Sequence, residues 1–80
     1  SPVYLVRLAT YSRPEFFNPA LVEGLGTVER IKKGNMTIML LRGYDNLPDA
    51  RQVVTKVLAA GFDTAHIVTL DSDGTIKRVE

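Results

Sequence analysis

Residues Met36–Thr37–Ile38–Met39–Leu40–Leu41–Arg42–Gly43–Tyr44 form the longest apolar run in the chain, and their flanks leave few ways to fold them. Gly34–Asn35 lies just before the run, and Gly and Asn tolerate the positive backbone angles that tight hairpin turns require. Ahead of that turn, Thr27 to Lys32 reads as a second strand opened by Gly26. A two-residue loop at Gly34–Asn35 pairs Ile31 with Ile38 and Val28 with Leu41. A loop at Lys33–Gly34 changes the partners but not the faces. Alternate strand side chains point opposite ways, so Val28 shares one face with Met39 and Leu41. Glu29 and Ile31 share the other with Ile38 and Leu40.

Upstream, Val3 to Thr10 has the composition of another strand. Its two interleaved sets are Tyr4, Val6, Leu8 and Thr10 against Val3, Leu5, Arg7 and Ala9. The first set is bulkier and is assigned to the core. Ser12–Arg13–Pro14 ends the strand, and a short helix is expected from about Glu15 to Gly24. Either Ser12 caps it with Pro14 in the first turn, or Asn18 caps a shorter one with Pro19 at its first position. Pro19 deep inside a helix would cost about 3 kcal/mol, which favours a late start or a break. Phe16 or Phe17, with Ala20, Leu21 and Leu25, supplies an approximate apolar stripe.

After Tyr44, Asn46 is placed to cap a second helix, with Pro48 in its first turn and Asp49 where the helix dipole favours an anion. Leu47, Ala50, Val54, Val57 and Leu58 make its apolar stripe. Gly61 ends it, and Phe62 tucks back afterwards. Thr64 to Leu70 is a further strand, Asp71–Ser72–Asp73–Gly74 a sharp turn, and Thr75 to Val79 a short extra edge strand at the C-terminal end.

Strand, helix, strand, strand, helix, strand is the ferredoxin-like split βαβ arrangement (βαββαβ), an α+β fold with two helices on one face of a four-stranded antiparallel sheet. Right-handed crossovers place the first and third strands in the centre. An internal repeat agrees with this, because Val6–Tyr11 aligns on Met39–Tyr44, matching Arg7 with Leu40 and Ala9 with Arg42. The face away from the helices would carry Leu5, Arg7, Ala9, Ile38, Leu40 and Arg42, with Glu29 and Ile31 at its edge. An apolar face of that kind, rimmed by polar groups, marks a contact surface.

Eighty residues make one domain spanning 1–80. Without cysteine there is neither a disulfide framework nor a Cys-based metal site. The only histidine, His66, has no nucleophile in a recognisable setting, so no catalytic residue is assigned. Asp71–Gly74 resembles a metal-loop fragment but lacks a later bidentate Glu and reads as an Asx-type turn, leaving no metal ligands and no cofactor. An RNA-recognition module has the same element order, yet its third strand stacks bases on aromatics, and Met36–Leu41 has none. The net charge of +1, with signs well mixed, shows no basic stripe for nucleic acid. No apolar run approaches the roughly twenty residues that span a bilayer. Arg7 and Arg42, on adjacent central strands, suit a carboxylate-bearing ligand, because a guanidinium is a planar fork of donors.

Tyr4-Leu-Val-Arg-Leu-Ala-Thr-Tyr11 resembles the Tyr-x-Val-Gln-Leu-Gly-Ser-Phe opening of the SPOR (sporulation-related repeat) domain. Leu41-Arg-Gly-Tyr44, followed by a loop and Asp49–Ala50, is similar to its Val-Gly-Pro-Phe motif with a helix-starting Glu-Ala. Gly61–Phe62 and Ala65-His-Ile-Val68 are similar to its closing Gly-Phe…Ala-x-Val-Val strand. The resemblance covers nearly the whole chain, in order. It implies an RNP-like fold and a non-catalytic module that binds peptidoglycan, favouring glycan strands without stem peptides at the division septum. It also implies a periplasmic or cell-envelope location within a longer secreted or membrane-anchored protein. Ser1–Pro2, an improbable native start, agrees with excision from such a protein. In the family the sugar lies across the sheet face away from the helices. By position, Arg7 stands for the signature Gln, Thr10 for the Ser and Ala9 for the Gly, while Arg42 stands for the Gly before the Pro. Simple alternation turns Thr10 inward unless a bulge or the strand end reorients it. The expected partner is glycan, with neither nucleic acid nor direct membrane contact, and the domain is expected to be a monomer. The alternative is a protein–protein interaction or dimerisation domain that uses the same face.

Overall fold

Gly34 adopts φ +62°, and among the described residues no non-glycine, Asn35 included, has a positive φ, which is the pattern of a type II′ hairpin turn. A computed structural model describes residues 3–80. Ser1–Pro2, read above as an excision point, lies outside the described residues. The turn joins β2 (Thr27–Lys33) to β3 (Met36–Tyr44), with Ile31 opposite Ile38 and Val28 opposite Leu41. The other elements are β1 (Tyr4–Tyr11), helix α1 (Leu47–Ala59), β4 (His66–Leu70) and β5 (Ile76–Arg78). They form an α+β domain with one five-stranded antiparallel sheet, ordered β2-β3-β1-β4-β5. The longest strands, β1 and β3, run through its middle. The C-terminal strand is a full member of the sheet, so the expected four strands become five.

The first expected helix does not form. In its place are two short 3₁₀ turns, Pro14–Phe16 and Pro19–Val22. Proline disfavours helical backbone in the residue before it, and Asn18 is extended at φ −102°, ψ 102°. Pro19 therefore cuts the segment in two, and Gly24, at φ +79°, closes the second piece. Neither piece is long enough to repay helix nucleation. Asn18 still caps, its side chain accepting from Ala20 N at 3.1 Å. The 3₁₀ repeat also moves the apolar positions. Phe17 and Val22 are buried, whereas Phe16 is 69% exposed and Ala20 and Leu21 face water. Phe17 meets Tyr11 edge-on at 6.0 Å and Phe62 at 6.2 Å, filling the space a helix would have covered.

Helix α1 has the expected ends. Asn46 Oδ1 accepts from Asp49 N at 2.9 Å, and Asp49 Oδ2 accepts in return from Asn46 Nδ2 at 3.2 Å. At the far end Phe62 N donates to Val57 O at 3.0 Å and Gly61 N to Leu58 O at 3.2 Å, a Schellman pair that requires Gly61 at φ +108°. The buried stripe is Ala50, Val53 and Val57, with Leu47 and Val54 at its margins. Leu58, expected inside, is exposed, and Val53 takes the central place. Between α1 and the sheet lies the main core, including Val6, Leu8, Met39, Leu41, Tyr44, Phe62 and Ile67.

Tyr44 ties the start of β2 into this core. Its hydroxyl donates to Leu25 O at 2.8 Å, and burial pushes its phenol up to about 12. A Cβ on Gly26 would lie 2.5 Å from that hydroxyl and 2.8 Å from Arg42 O. Gly26 is thus required by the approach of Tyr44 and β3. Gly26→Ala is expected to lower unfolding stability by about 1–3 kcal/mol, the usual cost of overpacking, read as a lower urea midpoint. An unchanged midpoint contradicts the close approach.

Candidate functional site

Two irregularities in the β1–β3 ladder decide what the face opposite α1 presents. Arg7 pairs with Leu40, but the next partners are Ala9 and Met39. Strand β1 therefore spends one extra residue there, a β-bulge that reverses the alternation beyond it. Leu8 and Ala9 both turn toward the core, and Thr10, opposite Ile38, comes out on the face of Arg7. This corrects the sequence reading at Ala9, which leaves the open face, while Thr10 joins that face by a bulge, a route the sequence reading had left open for it. Strict period-two alternation cannot anticipate the exchange. The second irregularity lies in β3, where Tyr44 pairs with Tyr4 but Leu41 with Val6. The extra residue falls at Arg42–Gly43, and Gly43 at φ +118° absorbs it. Arg42 stays on the open face while Leu41 and Tyr44 both face the core.

The bulge lets Arg7 Nη2 donate to Thr10 Oγ1 at 2.9 Å. Arg7 is half-buried, with Leu40 opposite it on one side and His66 on the other. Arg42 is exposed and already engaged, its Nη1 lying 3.1 Å from Glu29 Oε2 and 3.4 Å from Oε1. Beneath these side chains Leu5, Ile38, Leu40 and Val68 are only 2%, 4%, 0% and 1% exposed and form a second apolar cluster. Ile31, Leu70 and Ile76 pack against its edges. Leu5, Ile38 and Leu40 thus lie on the expected face but are not an accessible floor. Leu40 sits between its cross-strand neighbours Arg7 and Glu29. A depression of about 140 Å³ opens on this face, lined by Val3, Leu5, Glu29, Arg42 and Leu70.

Sequence reasoning left out Val68 and the sealing role of β5. The signal for Val68 was its parity, since a residue paired with Leu5 shares its face. Ile76 reaches the cluster through its pairing with Leu70. The Asp71–Gly74 segment is the hydrogen-bonded turn expected of it: Asp73 Oδ1 accepts from Thr75 N at 2.9 Å and Gly74 N donates to Asp71 O at 2.9 Å. The bonds from Thr75 hold the Asp73 carboxyl below its ordinary value. Among the described residues, no group of three or more His, Asp or Glu could hold a metal ion, and no helix is long and apolar enough to cross a membrane.

Chemically, the face offers guanidinium donors and a hydroxyl over an apolar layer. Arg7 pairs with no carboxylate among the described residues, and Arg42 can exchange Glu29 for an incoming one. Compared with protein-family models, with curated proteins and with solved structures, the chain finds no match. Because Leu40 is sealed within the monomer, Leu40→Ala is expected to cost about 2–5 kcal/mol of unfolding stability in denaturant titration. A loss within about 0.5 kcal/mol, the range of surface substitutions, contradicts a buried second layer.

Proposed function

We propose that the chain is a SPOR-like, non-catalytic binding module that takes peptidoglycan glycan strands lacking stem peptides on the sheet face opposite α1. The observation that carries this reading is the Arg7–Thr10 pair. These residues stand at the Gln and Ser positions of the signature, and the bulge sets them side by side, 2.9 Å apart, on that face. The fold is read as ferredoxin-like, or RNP-like. The order β2-β3-β1-β4 with α1 on one face supports this, the first helix being reduced to 3₁₀ turns and β5 added at the edge. A periplasmic or cell-envelope location within a longer protein follows from the same reading.

Peptide-free glycan keeps a lactyl carboxylate on each muramic acid. Arg7 binds it through charge-assisted hydrogen bonds, and Arg42 does so by releasing Glu29. Attached stem peptides convert that carboxylate to an amide and obstruct close approach, which sets the preference for stripped strands. Leu5, Ile38 and Leu40 support the polar side chains from below, and the ring faces meet exposed stems and Ile31. The burial of those three residues also favours glycan over dimerisation, since a stable dimer needs accessible apolar area at its centre.

Co-sedimentation with sacculi, before and after amidase treatment, tests the proposal. Retention is expected to rise after amidase. Arg7→Ala is expected to weaken it about tenfold or more, as for a lost charged hydrogen bond, and Glu29→Gln to raise it by freeing Arg42. Equal retention by treated and untreated sacculi, or by wild type and Arg7→Ala, sinks the proposal.

A further inference from the structure

Strand β2 forms one edge of the sheet, and among the described residues it pairs with β3 alone. Lys33 and Met36 close the two-residue turn as a hydrogen-bonded pair. The alternation of an antiparallel ladder then points the N–H and C=O groups of Val28, Arg30 and Lys32 outward. Among the described residues, no other backbone bond reaches them. The side chains of the same three residues share the face of Met39, toward α1 and away from Arg7 and Thr10.

Sheet edges invite unwanted pairing, and proteins blunt them with short strands, prolines, bulges or charge. The opposite edge is short, since β5 has three residues. Strand β2 has seven, without a proline, and its register with β3 runs unbroken from Thr27 to Lys33. Charge alone guards it, and the free charge has one sign. Arg30, Lys32 and Lys33 have no carboxylate partner among the described residues, whereas Glu29, the strand's one acid, is taken by Arg42. A second β2 laid alongside would set cation against cation, which an acidic strand would not. Beside Val28 lies a groove of about 390 Å³, walled by Pro19, Ala20, Val22 and Gly26, with Glu23 as the only charged residue in its lining. That lining comes from the second 3₁₀ turn and the start of β2, with no residue of β3, which puts the groove on the outer flank of the strand. It has room for an apolar side chain and repels an acidic one.

We propose that the outer edge of β2 is a docking site for an extended acidic segment of a partner protein, which joins the sheet as a further antiparallel strand. Backbone bonds to Val28, Arg30 and Lys32 supply affinity, and the side chains opposite those residues supply specificity. In that register the partner carries, from its N-terminal end and at alternate positions, an acid opposite Lys32, an acid opposite Arg30 and an apolar residue opposite Val28. The two carboxylates meet the two cations, and the apolar side chain enters the groove.

The test is amide hydrogen exchange and chemical shift in the isotope-labelled chain, titrated with the capped peptide Thr-Glu-Thr-Glu-Thr-Val-Thr. Near saturation, the amides of Val28, Arg30 and Lys32 are expected to exchange about tenfold more slowly, as they gain bonds they lack in the free chain. Those of Glu29 and Ile31, already bonded to β3, should change less. This two-residue alternation is the signature of strand addition and depends on no variant. Arg30→Glu combined with Lys32→Glu should weaken the peptide about tenfold or more, and should favour instead the peptide with lysine in place of glutamate. The proposal is overturned by shifts that stay linear in peptide, or by an equal response of the wild type to the lysine peptide. Shifts without slower exchange at the three amides, the outcome of loose charge attraction, overturn it as well. None of these readouts involves sacculi, Arg7 or Thr10.

Discussion

Pairing between β1 and β3 is the constraint on which the rest of the structure depends. These two strands carry the residues of both apolar layers, and each contains one irregularity. A regular ladder would put Ala9 on the open face and bury Thr10. The bulge at Leu8–Ala9 costs one unpaired backbone position and gives an arginine and a threonine on the same side. The Gly43 bulge acts in the opposite strand, keeping Tyr44 in the core while Arg42 faces out. Both ends of the central pair are thereby re-aimed without a break in the sheet.

A sheet with one α-helix has to protect a second face by other means. Here the protection comes from long side chains and from β5. Arg7 and Glu29 flank Leu40 on the neighbouring strands, Arg42 pairs with Glu29, and Ile31, Leu70 and Ile76 close the margins. The face is consequently polar at its surface and apolar one layer down. That arrangement suits a hydrated ligand bearing carboxylates better than an apolar partner, because apolar contact area is already spent within the monomer. On the other side, economy takes a different form. Two prolines prevent a helix, yet Phe17 and Val22 still reach the core from 3₁₀ turns.

Much of this was legible from residue order. The Gly34–Asn35 turn, the faces of Ile38, Leu40, Met39 and Leu41, and both caps of α1 follow from turn chemistry, period-two alternation and capping rules, all of them local. What escaped was non-local or cumulative. Pro14 and Pro19 each permit a helix start, and only their five-residue spacing forbids the helix between them. The exchange of Ala9 for Thr10 depends on how β1 meets β3, and nothing within Leu8–Ala9 announces an extra residue. Burial of Leu5, Ile38 and Leu40 depends on the length of neighbouring side chains and on a three-residue strand at the far edge. Alternation assigns a face, whereas only packing decides whether that face is open.

The bulge at Leu8–Ala9 is the central claim, and proton–proton NOEs in an isotope-labelled sample measure it directly. Contacts are expected from the Ala9 methyl to helix-side core residues, and from the Thr10 methyl to Ile38 beside Arg7. An Ala9 methyl close to Ile38 and Leu40, with Thr10 directed toward Met39, would mean a regular ladder. In that case Arg7 and Thr10 would lie on opposite faces of the sheet and could not share a ligand.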